Sequence, residues 1–298
     1  FALAACNGDH PAGDTAPAAA VAAPAEQPAA APTPPPAEAP VAESPAEAPA
    51  AAAEALPTAT VTADAEADAA APEPAAPAPA ETAPAAPMPA FVDTGKWVEG
   101  KHYFLIDPVQ PTSHPGQIEV TEVFSYGCPA CNAFHSTVDR IARTLPQGAV
   151  MNYLAASFRP DENWPMYQRM FYAAQALDLV GKSHDAAYTA VWDSGELATY
   201  NLKSSGLKPK AAWPTIEDAA KFYAKYGVDP QEFVAVANSF SVNTQMKRAD
   251  DLMKAYGVDS TPTMVVDGKY RFTAASAGGY AQAIELTQWL VAKEAAGK

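Results

Sequence analysis

The first strong hydrophobic pattern begins at Tyr103-Phe-Leu-Ile106, a short apolar run that Asp107-Pro108 ends and that predicts a first strand. Ile118 to Ser125 is rich in β-branched and aromatic residues and predicts a second. From Pro129 the period lengthens. Phe134, Val138, Ile141 and Leu145 recur at four, three and four, the face of a helix that Pro146 stops. Val150 to Phe158 returns to strand composition, so the order strand–helix–strand implies a βαβ unit with a parallel pair.

Residues 164 to 256 carry helical periodicity alone. Met166, Met170, Ala173, Leu177 and Val180 form one face, and Ala187, Tyr188 and Val191 begin another. Thr215 and Asp218 have the spacing of a capping box before Ala219, Ala220 and Tyr223. Pro230 after Asp229 is a first-turn proline ahead of Phe233, Val236 and Ala237. A last helix carries Met246, Ala249, Leu252, Met253 and Tyr256 and stops at Gly257. Thr263 to Val266 and Lys269 to Thr273 flank Asp267-Gly268, a strong hairpin signal. After Gly278-Gly279 a closing helix places Ile284, Gln288 and Val291 on one side. The whole reads β-β-α-β, a helical block, then β-β-α, with no internal repeat.

Composition sets the preceding part of the chain apart. Residues 2 to 90 contain no aromatic side chain, no Lys and no Arg, yet hold 19 of the 30 prolines. Twelve acidic residues there, Asp9 to Glu81, carry most of the net charge of −15, and the rest balances 22 acids against 19 bases. Ala, Pro and scattered Glu bury too little apolar surface to offset roughly 1–2 kcal/mol of backbone entropy per residue. Residues 7–95 are therefore expected to be a disordered Ala/Pro/Glu linker, a semi-rigid spacer. About 200 residues remain, enough for one domain with an insertion. Neither part has the basic excess that nucleic acid demands, and no run of 18 or more large apolar residues offers a transmembrane helix.

Phe1-Ala-Leu-Ala-Ala-Cys6 reads as the end of a signal peptide's apolar region running into small residues. Leu3-Ala4-Ala5-Cys6 also resembles a bacterial lipobox, in which cleavage before the cysteine leaves its thiol acylated. Cys6 is thus expected to anchor the chain to a membrane, since two or three acyl chains at about 0.8 kcal/mol per buried CH₂ hold stably. With Cys6 lipidated, Cys128 and Cys131 are the remaining thiols and have only each other to pair with.

Cys128-Pro129-Ala130-Cys131 sits where the second strand ends and the first long helix begins. Unpaired N–H groups and the positive end of the dipole there stabilise a thiolate at Cys128, the form that attacks and leaves in disulfide exchange. Cys131, one turn in, is expected to be more buried. Three readings compete with redox chemistry: a structural disulfide, two buried reduced cysteines, and a zinc site using His135 one turn further on. For zinc no fourth Cys or His is evident. His102, His114 and His184 have no partner spacing and are expected at the surface or as caps. Trp164, Trp192, Trp213 and Trp289 are expected to pack in the core or a groove.

Two segments taken together, Glu122-Val-Phe-Ser-Tyr-Gly-Cys-Pro-Ala-Cys131 and Gly257-Val-Asp-Ser-Thr-Pro-Thr263, resemble the signature segments of the DsbA-type thiol:disulfide oxidoreductases. The resemblance covers about residues 97 to 296. It implies an α/β thioredoxin fold at 96–159 and 257–298, with an inserted all-helical domain at 160–256. It also implies a cis peptide at Thr261–Pro262, facing the two sulfurs and keeping metal ions from them. A buried acid at Glu122 would move protons for Cys131. Period two sets Glu122 among Ile118, Val120 and Phe124, an unusual place for an acid. The chain departs from the family at Ala130, where strongly oxidising members carry His. Alanine offers a thiolate neither a hydrogen bond nor a charge, so a less oxidising protein is expected.

The function so implied is that of a periplasmic thiol:disulfide oxidoreductase of a Gram-negative bacterium, lipid-anchored and free of cofactor and metal. It would donate its Cys128–Cys131 disulfide to newly translocated cysteine-containing proteins. A DsbB-type, quinone-linked membrane partner would reoxidise it. The alternatives are a disulfide reductase or isomerase, which needs a reducing partner, and a non-catalytic peptide-binding thioredoxin-like lipoprotein.

Overall fold

The computed structural model describes residues 86–298; Cys6 and most of the expected linker lie outside them. A five-stranded sheet is built from β1 (Phe104–Leu105), β2 (Ile118–Phe124), β3 (Ala149–Ala155), β4 (Thr263–Val266) and β5 (Tyr270–Phe272), in the order β1-β5-β4-β2-β3. β2 and β3 run parallel on either side of helix α1 (Pro129–Thr144) in sequence, the βαβ unit expected, whereas β4 pairs antiparallel with β2 and with β5. Asp267 and Gly268, both at positive φ, make the β4–β5 turn. Gly268 is also fixed by space, because a Cβ there would stand 2.2 Å from the Gln110 carbonyl oxygen.

Between β3 and β4 the chain inserts α2 (Trp164–Ala176), α3 (Val180–Trp192), α4 (Ile216–Ala224), α5 (Pro230–Ala237) and α6 (Phe240–Ala255). The caps follow the sequence signals. Thr215 and Asp218 form the reciprocal capping box, and the Asp229 carboxylate accepts from the N–H groups of Gln231 and Glu232 behind Pro230. A one-turn helix, α7 (Ala274–Ala277), and a 16-residue helix, α8 (Tyr280–Ala295), close the chain. No helix among the described residues is long and apolar enough to cross a membrane.

Both faces of β2 are covered, so it is buried despite its alternating polar residues. One core joins Val120 and Val266 to Phe134 and Val138 of α1 and Leu286 and Leu290 of α8. The other joins Phe124, Cys128 and Cys131 to Phe171, Tyr188 and Tyr223 of the insertion. The cysteine pair thus sits where the sheet meets the inserted helices.

Several expectations are corrected. The face read as continuous from Met166 to Val180 belongs to two helices. Asp178 takes a left-handed φ of 55°, and the Leu179 N–H closes back on Ala174 O at 2.8 Å, the bond to residue i−5 that terminates a helix. Val180 therefore opens α3, on which Ala187, Tyr188 and Val191 are buried. On α8 the buried stripe is Ala283, Leu286, Thr287, Leu290 and Val291, with Gln288 exposed. This helix packs on α1 and on the sheet together, so its stripe is wider than the single row through Ile284. Helix α7, capped by Thr273 and Ser276, was not expected.

The linker also ends earlier than composition suggests. Ala86 O accepts from Gln147 N–H at 2.8 Å, and Met88 packs against the α1–α8 core. Phe91 lies 5.3 Å from Trp289, whose indole N–H donates to Val92 O at 3.1 Å, and Lys293 sits over both rings. Met88 and Phe91 are large apolar residues and are half-buried, which offsets the cost of ordering the chain. Phe91→Ala removes the aromatic pair and is expected to cost about 1 kcal/mol. A lower midpoint in chemical denaturation would show this, and an unchanged midpoint would mean that residues 86–95 do not dock in solution.

Candidate active site

β2 ends at Phe124, and Ser125-Tyr126-Gly127 lead into α1, whose N-cap is Cys128. Glycine is required at 127, where a Cβ would meet the Tyr167 ring at 2.8 Å and the Trp164 ring at 3.1 Å. Cys128 Sγ accepts the Cys131 backbone N–H at 3.4 Å, and its own S–H faces Thr261 O at 3.6 Å. Both cysteines are reduced. Cys131 is fully enclosed, and Cys128 keeps only 5% of its surface open, less than a helix terminus alone would give.

The pairing Val123↔Thr263 between β2 and β4 is what brings Thr261–Pro262 to the cysteines across 133 residues of sequence. That peptide bond is cis, as is Asp107–Pro108. Glu122 lies two residues before the end of β2, opposite Tyr153 of β3 and Met264 of β4. It is fully buried, and neither carboxyl oxygen has a hydrogen-bond partner. Two clefts flank Pro129-Ala130. One of 310 Å³ is lined by Ala130, Thr261, Pro262 and Tyr280, and one of 380 Å³ by Pro129, Trp192, Tyr200 and Leu202.

This arrangement has close counterparts. The model of the DSBA-like thioredoxin domain matches residues 119–285. The chain belongs to the DsbA-like thioredoxin family. It is 36% identical over 200 residues to the thiol:disulfide interchange protein DsbA of Pseudomonas aeruginosa, covering 67% of this chain and 87% of that protein. The DsbA of Azotobacter vinelandii is 32% identical over 195 residues, 65% of this chain and 83% of its own. The crystal structure of Pseudomonas aeruginosa DsbA superposes with a TM-score of 0.58 at 35% identity, over 68% of this chain and 97% of that one. This DsbA-like chain is a protein disulfide oxidoreductase.

Electrostatics separate the two sulfurs of this DsbA-like site. The Cys128 pKa is lowered from 9.0 to about 6, first by the hydrogen bond from the Cys131 thiol and, against the opposing effect of burial, by Thr261 and the N–H groups of Cys131 and Ala130. The Thr261 carbonyl oxygen faces the Cys128 thiol, and the Thr261 hydroxyl is buried without a hydrogen-bond partner. The helix terminus therefore contributes, but the neighbouring thiol contributes more. Burial pushes the Cys131 thiol well above the usual range, and the charge on Cys128 pushes it further.

Glu122 is neutral for a related reason. Burial raises its pKa from 4.5 to about 8, with smaller contributions from the negative charges of Cys128 and Asp139. Glu119, three residues earlier on the same strand and also buried, shows the contrast. Its carboxylate accepts from Ser113 N–H, Thr121 Oγ1 and Asn152 Nδ2 and meets His114 Nδ1 at 2.6 Å.

The histidines divide unexpectedly. His102 Nδ1 accepts the Val98 N–H across a turn, with no helix there to cap. His184 is not at the surface. It is buried against Phe124 and Tyr153, and its Nδ1 meets the Tyr126 hydroxyl at 2.8 Å. Burial, helped by nearby His135, drives its pKa down to about 3. The signal was present in the sequence, since residue 184 falls on the stripe that runs from Val180 through Ala187, Tyr188 and Val191. His135 pairs with Asp185 at 3.1 Å instead of joining Cys131 in a zinc site. Trp192 is the groove tryptophan, its indole N–H donating to Tyr126 O at 2.8 Å just ahead of the cysteines.

Two expected outcomes follow from these environments. Thiolate absorbance of the reduced protein should rise with a midpoint near pH 6 and vanish in Cys128→Ser, and brief alkylation at neutral pH should label Cys128 before Cys131. Preferential labelling of Cys131 would reverse the assignment. For Glu122, a folded-state pKa above the unfolded one means that the native protein holds the proton more tightly. Stability from this group is therefore full below pH 4.5 and lost as pH rises to about 8, by up to about 1.4 kcal/mol per pH unit. Glu122→Gln should leave the melting temperature nearly unchanged at pH 4.5 and raise it at pH 8. Equal effects at both values would contradict a buried neutral carboxyl.

Proposed function

We propose that this protein donates a disulfide held between Cys128 and Cys131 to cysteine-containing proteins entering the periplasm of a Gram-negative bacterium. The observation that carries the reading is the opposed pKa shifts of the two sulfurs, one lowered to about 6 and the other pushed up. In the oxidised protein a substrate thiolate attacks Cys128 Sγ, forming a mixed disulfide as the Cys131 sulfur leaves. Glu122, neutral and buried, gives that sulfur a proton. The substrate's second thiolate then attacks its own bonded sulfur, and Cys128 departs as the stabilised thiolate. Two electrons pass from the substrate dithiol to the protein, which ends as the Cys128–Cys131 dithiol. The cleft bordered by Ala130, Thr261, Pro262 and Tyr280 receives the substrate chain beside the attacked sulfur. The cysteines themselves are the redox group, and a DsbB-type membrane partner restores the disulfide. Cys6, acylated, holds the protein at a membrane.

The direction of exchange is tested by equilibrating the parent and Ala130→His in the same glutathione buffers. The parent should oxidise a reduced, unfolded substrate protein and lie on the oxidising side of glutathione. A histidine between the sulfurs could add one charge-assisted hydrogen bond to Cys128, worth about 1.5–3 kcal/mol, and so raise the potential by roughly 30–60 mV. A parent more reducing than glutathione would favour a reductase. A potential unmoved by the histidine would mean that thiolate stabilisation at this turn does not set the poise.

A further inference from the structure

Away from the two sulfurs, α1 and α3 bring one imidazole and two carboxylates together. His135 and Asp139 stand four residues apart on α1 and so share a face of the helix. Asp185 reaches the same point from α3. One ligand atom from each of the three lies within 4.8 Å of the others. A Zn²⁺ ion bound tetrahedrally at about 2.0–2.2 Å holds its ligand atoms about 3.4 Å apart. His135 Nε2 and Asp185 Oδ1 are already at 3.1 Å, so only modest side-chain rotation separates the present arrangement from a closed one.

Two imidazoles near the cluster are enclosed, and each keeps one nitrogen without a hydrogen-bond partner. His135 has a ring only 13% exposed, and its Nδ1 is unbonded. His184 is 7% exposed and is held through Nδ1 by Tyr126; its Nε2 is unbonded. The two imidazole centroids are 5.3 Å apart. Imidazole nitrogen beside carboxylate oxygen is the donor set that borderline divalent metals take. Cys131 precedes His135 by one helical turn, but its sulfur is not among the clustered ligand atoms.

We propose that His135, Asp139 and Asp185 form a binding site for a divalent transition-metal ion of the Zn²⁺ class, with water completing the coordination. An ion there ties the helix that carries the redox cysteines to the first pair of inserted helices. It replaces the His135–Asp185 hydrogen bond and offsets the negative charge of the two aspartates. The site is chemically separate from the sulfurs, because its donors are nitrogen and oxygen.

Oxidised protein, in which Cys128 and Cys131 are joined, offers no thiolate from that pair and therefore isolates the site. Titration of the oxidised full chain with Zn²⁺ by calorimetry should show saturable binding of one ion, accompanied by a rise in melting temperature. Asp139→Asn and His135→Gln should each weaken it at least tenfold. Asp185 is largely exposed, so Asp185→Asn should do the same with the metal-free fold intact and keeps the test decisive should a substitution on α1 unfold the protein. Co²⁺ in place of Zn²⁺ should give visible ligand-field bands with no sulfur-to-metal charge transfer. Absence of saturable binding to the oxidised chain, binding that appears only after reduction, or affinity unchanged in all three variants would overturn the assignment.

Discussion

The active site depends on one sulfur being held between two parts of the chain that are far apart in sequence. Cys128 caps α1, so its Sγ meets the N–H of Cys131 on one side, while β2–β4 pairing presses Thr261 against it from the other. The ladder from Val120↔Val266 to Val123↔Thr263 ends at the start of β4, immediately after Pro262. A one-residue slip in that ladder would turn every side chain of β4 to the opposite face and move the Thr261 carbonyl away from the sulfur. The register of two central strands therefore fixes the spacing of groups that no local sequence rule connects. The insertion of α2 to α6 is tolerated because it enters and leaves at the ends of β3 and β4, outside that ladder.

β2 carries two buried glutamates with opposite surroundings. Glu119 is surrounded by donors and meets His114, while Glu122 has none and keeps its proton to about pH 8. The difference follows from the depth of the strand. Glu119 is near the end where Ser113 and His114 fold back, and Glu122 lies toward the end enclosed by the inserted helices. A carboxyl at that depth without partners is costly to ionise. It can be retained as a neutral acid beside a thiol pair whose own charge opposes its ionisation. The buried tyrosines nearby, Tyr126, Tyr153 and Tyr188, are pushed above their usual range by burial and by Glu122 among other charges.

Much of this was legible beforehand, for identifiable reasons. The α1 stripe, the Asp267-Gly268 hairpin and the caps at Thr215 and Asp229 are local rules, satisfied within a few residues. The cysteine motif at the strand-to-helix junction was equally local. What escaped was set by tertiary packing. A helix break at Asp178 leaves the apolar spacing intact and changes only the backbone. The position of His184 followed from a stripe whose inner neighbours, Phe124 and Tyr126, come from β2 and the loop after it, nearly 60 residues earlier. The docking of residues 86–95 was hidden because the Ala/Pro run continues through Ala90, and Phe91 finds its partner only on α8.

That docking has a mechanical meaning. Ala86 is fastened to Gln147, just past the C-terminal end of α1, whereas Cys128 caps the opposite end of the same helix. Sixteen residues of helix separate these poles by about 24 Å. The clamp made by Phe91, Trp289 and Lys293 means that a pull on the chain ahead of Ala86 is borne by α8 and the far end of α1, and does not bend the loop that carries the sulfurs. The chain ahead of Ala86 therefore joins the domain at the end of α1 opposite the reactive sulfur.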